Sequence, residues 1–160
     1  MTEAEKKAKT EAEKKAKKDW LGRYQESLRR EKRLNETLRE VRSRAESTTQ
    51  VFTGMPHAGG QSSKVESGAI LLAAYAMQIN NQIADGEVIR AEIEAAIGQL
   101  ESPLQREVLY WRYVKGDDGR PMDLWKVGNK LYISERHARR LFGKAIENIA
   151  IPKDGRSCPV

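Results

Sequence analysis

Asp123-Leu124-Trp125-Lys126-Val127-Gly128-Asn129-Lys130-Leu131-Tyr132-Ile133-Ser134-Glu135-Arg136-His137-Ala138-Arg139-Arg140-Leu141 is the stretch whose reading decides the fold. Its apolar residues, extended by Ala145, are Leu124, Val127, Leu131, Ile133, Ala138 and Leu141. That spacing predicts two short helices joined by a tight turn and sharing one buried seam. Gly128 is small where the helices would cross, and Ser134 stands where the second helix needs an N-cap. Arg136, His137, Arg139, Arg140 and Lys144 then face away from the seam. A short helix with an apolar back and a basic front fits a DNA major groove in shape and charge.

Working outward, Gln105-Arg106-Glu107-Val108, the pair Arg112-Tyr113, and Gly116 precede this unit. Together with Leu124 to Ala145 they resemble region 4 of bacterial sigma factors, the module that recognises the promoter −35 element. The resemblance runs from about Leu100 to Ile149. It implies a helix over Pro103–Lys115, a support helix Leu124–Leu131 and a reading helix from Ser134 to Ile149. It also implies roles. Glu135, Arg136, Arg139 and Arg140 become candidates for base edges, with Ser134 and His137 beside them; Arg112, Lys126 and Lys144 become candidates for phosphate. Arg can grip guanine with two hydrogen bonds, and Glu can accept from cytosine N4. Two departures stand out. Asp117-Asp118-Gly119-Arg120-Pro121 inserts a short loop, and Tyr132 occupies a turn position where such motifs commonly carry Gly, at a cost of about 1 kcal/mol or an adjusted turn.

The N-terminal half reads differently. Residues 2–9, Thr-Glu-Ala-Glu-Lys-Lys-Ala-Lys, recur unchanged as residues 10–17. They combine good helix formers with Glu–Lys pairs four apart and carry no apolar stripe beyond Ala. Residues 1–18 are thus expected as a charged extension, a solvated helix that frays. From Asp19 to about Glu46, Leu21, Tyr24, Leu28, Leu34, Leu38, Val41 and Ala45 form a stripe, interrupted by Glu31. Ser47–Ser63 carries Gly54, Pro56, Gly59 and Gly60 and turns the chain. Ser63-Lys64-Val65-Glu66 is a capping box for the next helix. There Val65, Ala69, Leu72, Ala76, Ile79, Ile83, Gly86, Arg90, Ile93, Ile97 and Leu100 alternate by four and three, a heptad seam weakened at Gly86 and Arg90. Ser102-Pro103-Leu104-Gln105 is a further helix start, with cap, N1 proline and capping Gln.

The expected fold is therefore all-α: a long antiparallel helical hairpin over 19–101 with its loop at 47–63, then a three-helix helix-turn-helix unit over 102–151 and a flexible tail, 152–160. The layout around Ser47-Thr48-Thr49, Thr53-Gly54-Met55-Pro56, Gly59-Gly60 and Ser63–Glu66, followed by a sigma-like end, is similar to small phage and prophage proteins of Gram-positive bacteria. Some of these are called late-gene transcription regulators of the ArpU or RinA type.

Charge supports a divided chain. The net charge is +6, but residues 102–160 carry 12 Lys/Arg against 7 Asp/Glu, while residues 51–101 carry 2 against 6. Residues 1–18 carry 7 against 4 and residues 19–50 carry 8 against 6, so the candidate DNA reader is basic and the central helix acidic, as expected if the C-terminal unit meets phosphate. Hydrophobic content of 39% with 32% charged residues suits long amphipathic helices better than one large core. A single cysteine, Cys158, allows no internal disulfide and fits a reducing cytoplasm, here that of a bacterial host. No apolar run approaches the roughly 20 residues of a membrane span.

Enzyme readings fail on residue type. Gly54–Gly59 has the glycine spacing of a phosphate loop, but Gly60-Gln61 stands where Lys-Ser/Thr is required. His57 and His137 are the only histidines and show no metal-ligand spacing. Glu92 and Glu94 read as solvated charges rather than a catalytic pair. Trp111, Tyr113, Trp125 and Phe142 read as packing residues rather than stacking platforms. No catalytic site, metal or cofactor is expected. The expected function is sequence-specific binding of double-stranded DNA as a phage-type transcription regulator. It would act as a homodimer through the long helices, with Ile79 and Ile83 in the seam, and host RNA polymerase would be a further partner. Two other functions suit the same residues: a DNA-packaging subunit of the small-terminase kind, and a sigma-like polymerase adaptor that reads no DNA.

Overall fold

The computed structural model describes residues 3–52 and 62–152, and the chain is all-α. Five α-helices follow in order: α1 Glu3–Phe52, α2 Ser62–Gly98, α3 Pro103–Leu109, α4 Leu124–Leu131 and α5 Glu135–Asn148. A π-helical turn, Tyr110–Lys115, extends α3, and the described residues hold no strand. The first helix runs without a break through both octapeptides and on to Phe52, past the expected end near Glu46. Nothing in that stretch forbids it: there is no proline, and Gly22 is its one glycine. The remainder of the expected loop, with Gly54, Pro56, His57, Gly59 and Gly60, lies outside the described residues, as do the side chains of the capping box Ser63–Glu66 and the tail from Lys153.

The chain divides into two compact units. One takes in Met1–Leu28 and Val88–Val160, the other Arg29–Glu87. In the first, Trp20, Leu21 and Tyr24 of α1 bury with Ile93, Ile97 and Leu100 from the end of α2. The same core holds Val108, Leu109 and Tyr113, then Val127, and finally Leu141, Phe142, Ala145, Ile146 and Ile149. Here α1 and α2 run antiparallel: the Tyr24 hydroxyl donates to Glu94 Oε1 at 2.5 Å, and Arg90 Nη1 donates to Ser27 Oγ at 3.2 Å. Arg90, which weakens the seam on paper, thus finds a polar partner on the facing helix. Leu28 departs from its expected stripe and is exposed.

The second unit is sparser. Among its described residues Leu38 and Ile79 are the buried apolar ones, flanked by half-buried Leu34 and Val41 on α1 and by Leu72, Ala76 and Ile83 on α2. Arg30 Nη2 reaches Gln82 Oε1 at 3.3 Å. The four-three seam of α2 is thus spent inside this chain from Leu72 to Ile83.

Two local expectations are corrected. Trp125 is 49% exposed and is not a core residue, because α4 turns Val127 and Gly128 inward and leaves position 125 on its outer side. Gln105 does not cap α3: the cap Ser102 makes no side-chain hydrogen bond, and buried Gln105 instead accepts from Asn148 Nδ2 at 3.1 Å.

Candidate nucleic-acid interface

Everything that presents α5 rests on how α3 ends. Its last turn widens to π geometry, so that Gly116 N–H reaches back five residues to Trp111 O at 3.1 Å. A helix end leaves carbonyls without intrahelical donors. Gln25, brought in from α1 and only 2% exposed, meets two of them: its Nε2 donates to Tyr113 O at 2.8 Å and to Val114 O at 2.9 Å. Gly116 then reverses the chain at φ 59°. A Cβ there would stand 2.5 Å from Gln25 Cδ and 2.6 Å from Arg120 O, so both conformation and space demand glycine.

The inserted loop is a tight turn rather than a slack one. Asp117 N–H donates to Arg120 O at 2.7 Å, and Arg120 N–H returns to Asp117 O at 3.0 Å. Asp118 and Gly119 between them both hold positive φ, as a type I′ turn requires. The Asp117 carboxylate pairs with Lys126 on α4 and holds that ammonium above its ordinary pKa.

From α4 to α5 the chain uses a Schellman ending. Ile133 N–H donates to Gly128 O at 3.0 Å and Tyr132 N–H to Asn129 O at 3.4 Å. Tyr132 sits squarely in the left-handed region, at φ 56° and ψ 37°, so the turn keeps its usual geometry despite lacking glycine. A Cβ on Gly128 would come within 2.9 Å of Ile133 O, which is why the small residue is needed at this crossing. Ser134 caps α5, its Oγ accepting from His137 N–H at 3.2 Å.

The α5 helix divides cleanly. Ala138, Leu141, Phe142, Ala145 and Ile146 are buried, while Ser134, Glu135, Arg136, Arg139, Arg140 and Lys144 are exposed and His137 is half-buried. The exposed charges differ in freedom. Arg139 is tied to Glu135 one turn back, with Nε and Nη2 at 2.9 and 2.5 Å from Oε1. Arg140 Nη2 lies 3.4 Å from His137 Nδ1. Arg136 makes no hydrogen bond or ion pair with the described residues.

The three residues expected at phosphate separate. Lys144 is exposed on α5. Lys126 is half-buried and paired with Asp117. Arg112 is turned inward: its Nη1 donates to Met122 O at 2.7 Å and its guanidinium lies 4.9 Å from the Phe142 ring centre. It fastens the segment before α4 to α5.

Sequence reasoning missed an aromatic margin. Tyr132, in the turn just after α4, is 97% exposed, and Trp125 on α4 is 49% exposed. Lys126 Nζ lies 5.6 Å from the Trp125 ring and Lys130 Nζ 5.7 Å from Trp111. Aromatic rings among lysines were the signal for this margin. It missed equally the hold on the far end of α5. Lys14 pairs with Glu147 at 2.8 Å, and Lys17 Nζ donates to Glu147 O at 2.8 Å, where the helix dipole favours cations. Among the described residues no cluster of His, Cys, Asp and Glu could hold a metal, and no helix is long and apolar enough to cross a membrane.

Comparison of the chain with protein-family models, with curated proteins and with solved structures gives no match.

Proposed function

We propose that this chain is a sequence-specific double-stranded-DNA-binding transcription regulator of the phage type, reading the major groove with α5. One observation carries the reading: a helix whose buried side is wholly apolar and whose exposed side bears Arg136, Arg139, Arg140 and Lys144, held out by a capped, glycine-tightened turn. At 14 residues α5 is about 20 Å long, enough to lie along a groove roughly 12 Å wide. Arg136 is the foremost base-edge candidate because no carboxylate of the described residues occupies it. Arg139 reaches a base only by leaving Glu135, and Glu135 is then free to accept from cytosine. Lys144 and Lys126 serve phosphate. The protein acts in a bacterial cytoplasm as two copies joined through the long helices, and its sigma-like unit gives host RNA polymerase a surface to meet.

The test is selection from random duplex DNA followed by binding across a salt series. A recovered consensus is expected. On that site Arg136→Ala should cost about 1–3 kcal/mol while leaving binding to random duplex nearly unchanged. Equal losses on both would reduce α5 to an electrostatic surface. No binding at all by the unaltered chain would favour the polymerase adaptor, and a ring of many copies on its site would favour a packaging subunit.

A further inference from the structure

The α2 helix carries a second seam that nothing among the described residues covers. Ile70, Ala74, Met77, Asn81 and Ala84 repeat by four and three. This series is offset by two residues from the inner series Leu72, Ala76, Ile79, Ile83 and Gly86. Two residues turn an α-helix by about 200°, so the two seams lie on opposite sides. The inner one faces α1; the outer one is exposed at all five positions. Ile70 is 67% exposed, Met77 67%, and the adjoining Leu71 71%.

We propose that this outer seam is the contact between two copies of the chain, packed about a twofold axis so that two helix pairs close into a four-helix bundle. Three observations support a second copy as the occupant. The first is charge. Residues 67–84 contain no Asp, Glu, Lys or Arg in a chain that is 32% charged. A twofold contact sets each residue near its own image or near the image of a neighbour, so like charges on such a surface repel. A surface without charge suits its own copy. It offers nothing to the charge-patterned surface of an unrelated protein.

The second is the core. Among the described residues of Arg29–Glu87 the buried apolar ones are Leu38 and Ile79, one from each helix. A single layer of two helices leaves half of its apolar side chains in water, and a second layer is the ordinary remedy. The third is Asn81. One Asn in the middle of an apolar heptad seam fixes register and two-chain pairing when it meets an identical Asn. The described α1 surface of this unit, with exposed Arg29, Arg33, Arg39, Glu40 and Arg42, carries no such seam. Among the described residues no helix is long and apolar enough to cross a membrane.

The inference rests on the two-copy part of the proposed function and replaces Ile79 and Ile83 as its interface, because Ile79 is 2% exposed within its own chain. The experiment uses the full chain in sedimentation equilibrium over a concentration series, comparing wild type with Ile70→Glu/Met77→Glu. These side chains are exposed, so helix content by circular dichroism should not change. A dimer is expected for wild type, with association weakened at least about 100-fold in the double variant, because each carboxylate would lose its water against an apolar seam. Asn81→Cys in a Cys158→Ser background should form an interchain disulfide on treatment with diamide. Met77→Leu should associate as wild type does. A monomeric wild type, a closed ring of more than two copies, or a dimer left intact by the double Glu variant would each overturn the proposal. Binding to a DNA half-site by the monomeric variant separates the two claims: it persists when only the seam is lost, and its absence from a dimeric wild type counts against the reading of α5 alone.

Discussion

Gln25 shows how far a single residue's role can lie from its sequence neighbours. It sits one position after Tyr24 in a stretch that reads as an ordinary amphipathic helix, yet its amide closes the end of the π-helical turn 88 and 89 residues away. Replacing it by Leu keeps the bulk and strands one buried and one partly buried carbonyl. The expected loss is about 1–3 kcal/mol, seen as a lower urea midpoint at unchanged slope. Exposed Glu26→Ala serves as the control and should shift stability by no more than about 0.5 kcal/mol. Tyr132 poses the opposite problem. Its side chain is 97% exposed, while its backbone holds a conformation that costs a non-glycine residue about 1 kcal/mol. Tyr132→Gly should therefore unfold at a higher urea midpoint than Tyr132→Ala, which keeps the strain. Glycine's greater freedom when unfolded trims the gain without reversing it. If both variants also bind DNA less tightly than wild type, the exposed phenol is a contact and explains why the strain is kept. If neither does, Tyr132 contributes nothing to the interface.

At the scale of elements, α4 and α5 were the legible part, because their determinants are local. The 3.6-residue spacing, a small residue at the crossing and a serine N-cap all lie within twenty-odd residues. What could not be read depends on partners distant in sequence. Gln105 satisfies a capping-box pattern but turns to Asn148. The two identical octapeptides meet different fates: Lys14 and Lys17 of the second grip α5, while in the first the corresponding Lys6 and Lys9 stay exposed. Trp125 shows that aromatic character does not decide burial when the helix face points outward. Arg112 is the instructive case for the site. It fits the phosphate role by resemblance, but its guanidinium is used inside, on Met122 O and the Phe142 ring. Arg112→Ala should cost about 1–3 kcal/mol of stability and leave the salt slope of DNA binding unaltered. Lys144→Ala should do the reverse, with stability nearly unchanged and the slope flatter by about 0.9. Both are read from one urea titration and one salt series per variant. A flattened slope for Arg112→Ala would return it to the phosphate set.

On the scale of the whole molecule, the unit that carries α5 is closed by polar ties from the start of the chain. Lys14 and Lys17 hold the end of α5, and Tyr24 joins α1 to the last turns of α2. The Tyr24 tie has a pH signature. Burial, then the hydrogen bond the phenol donates to Glu94, then the Glu94 charge push its pKa from 10.0 up to about 12. The fold thus favours the neutral phenol. For a group raised in this way the contribution to stability is complete below the unfolded value, near 10, and is lost as pH climbs through about 12. Tyr113 is raised as well, chiefly by burial, and Lys14 and Lys126 by their carboxylate partners, so all four act in the same direction. The informative quantity is therefore the difference between wild type and Tyr24→Phe. At pH 8 the variant should be less stable by about 0.5–1.5 kcal/mol, having lost one hydrogen bond. Between pH 10 and 11.5 the gap should narrow, because the wild type alone is losing the Tyr24 contribution. Urea midpoints at half-unit steps of pH measure it. Parallel curves, with the gap constant to pH 11.5, would mean that Tyr24 ionises as freely in the folded chain as in the unfolded one.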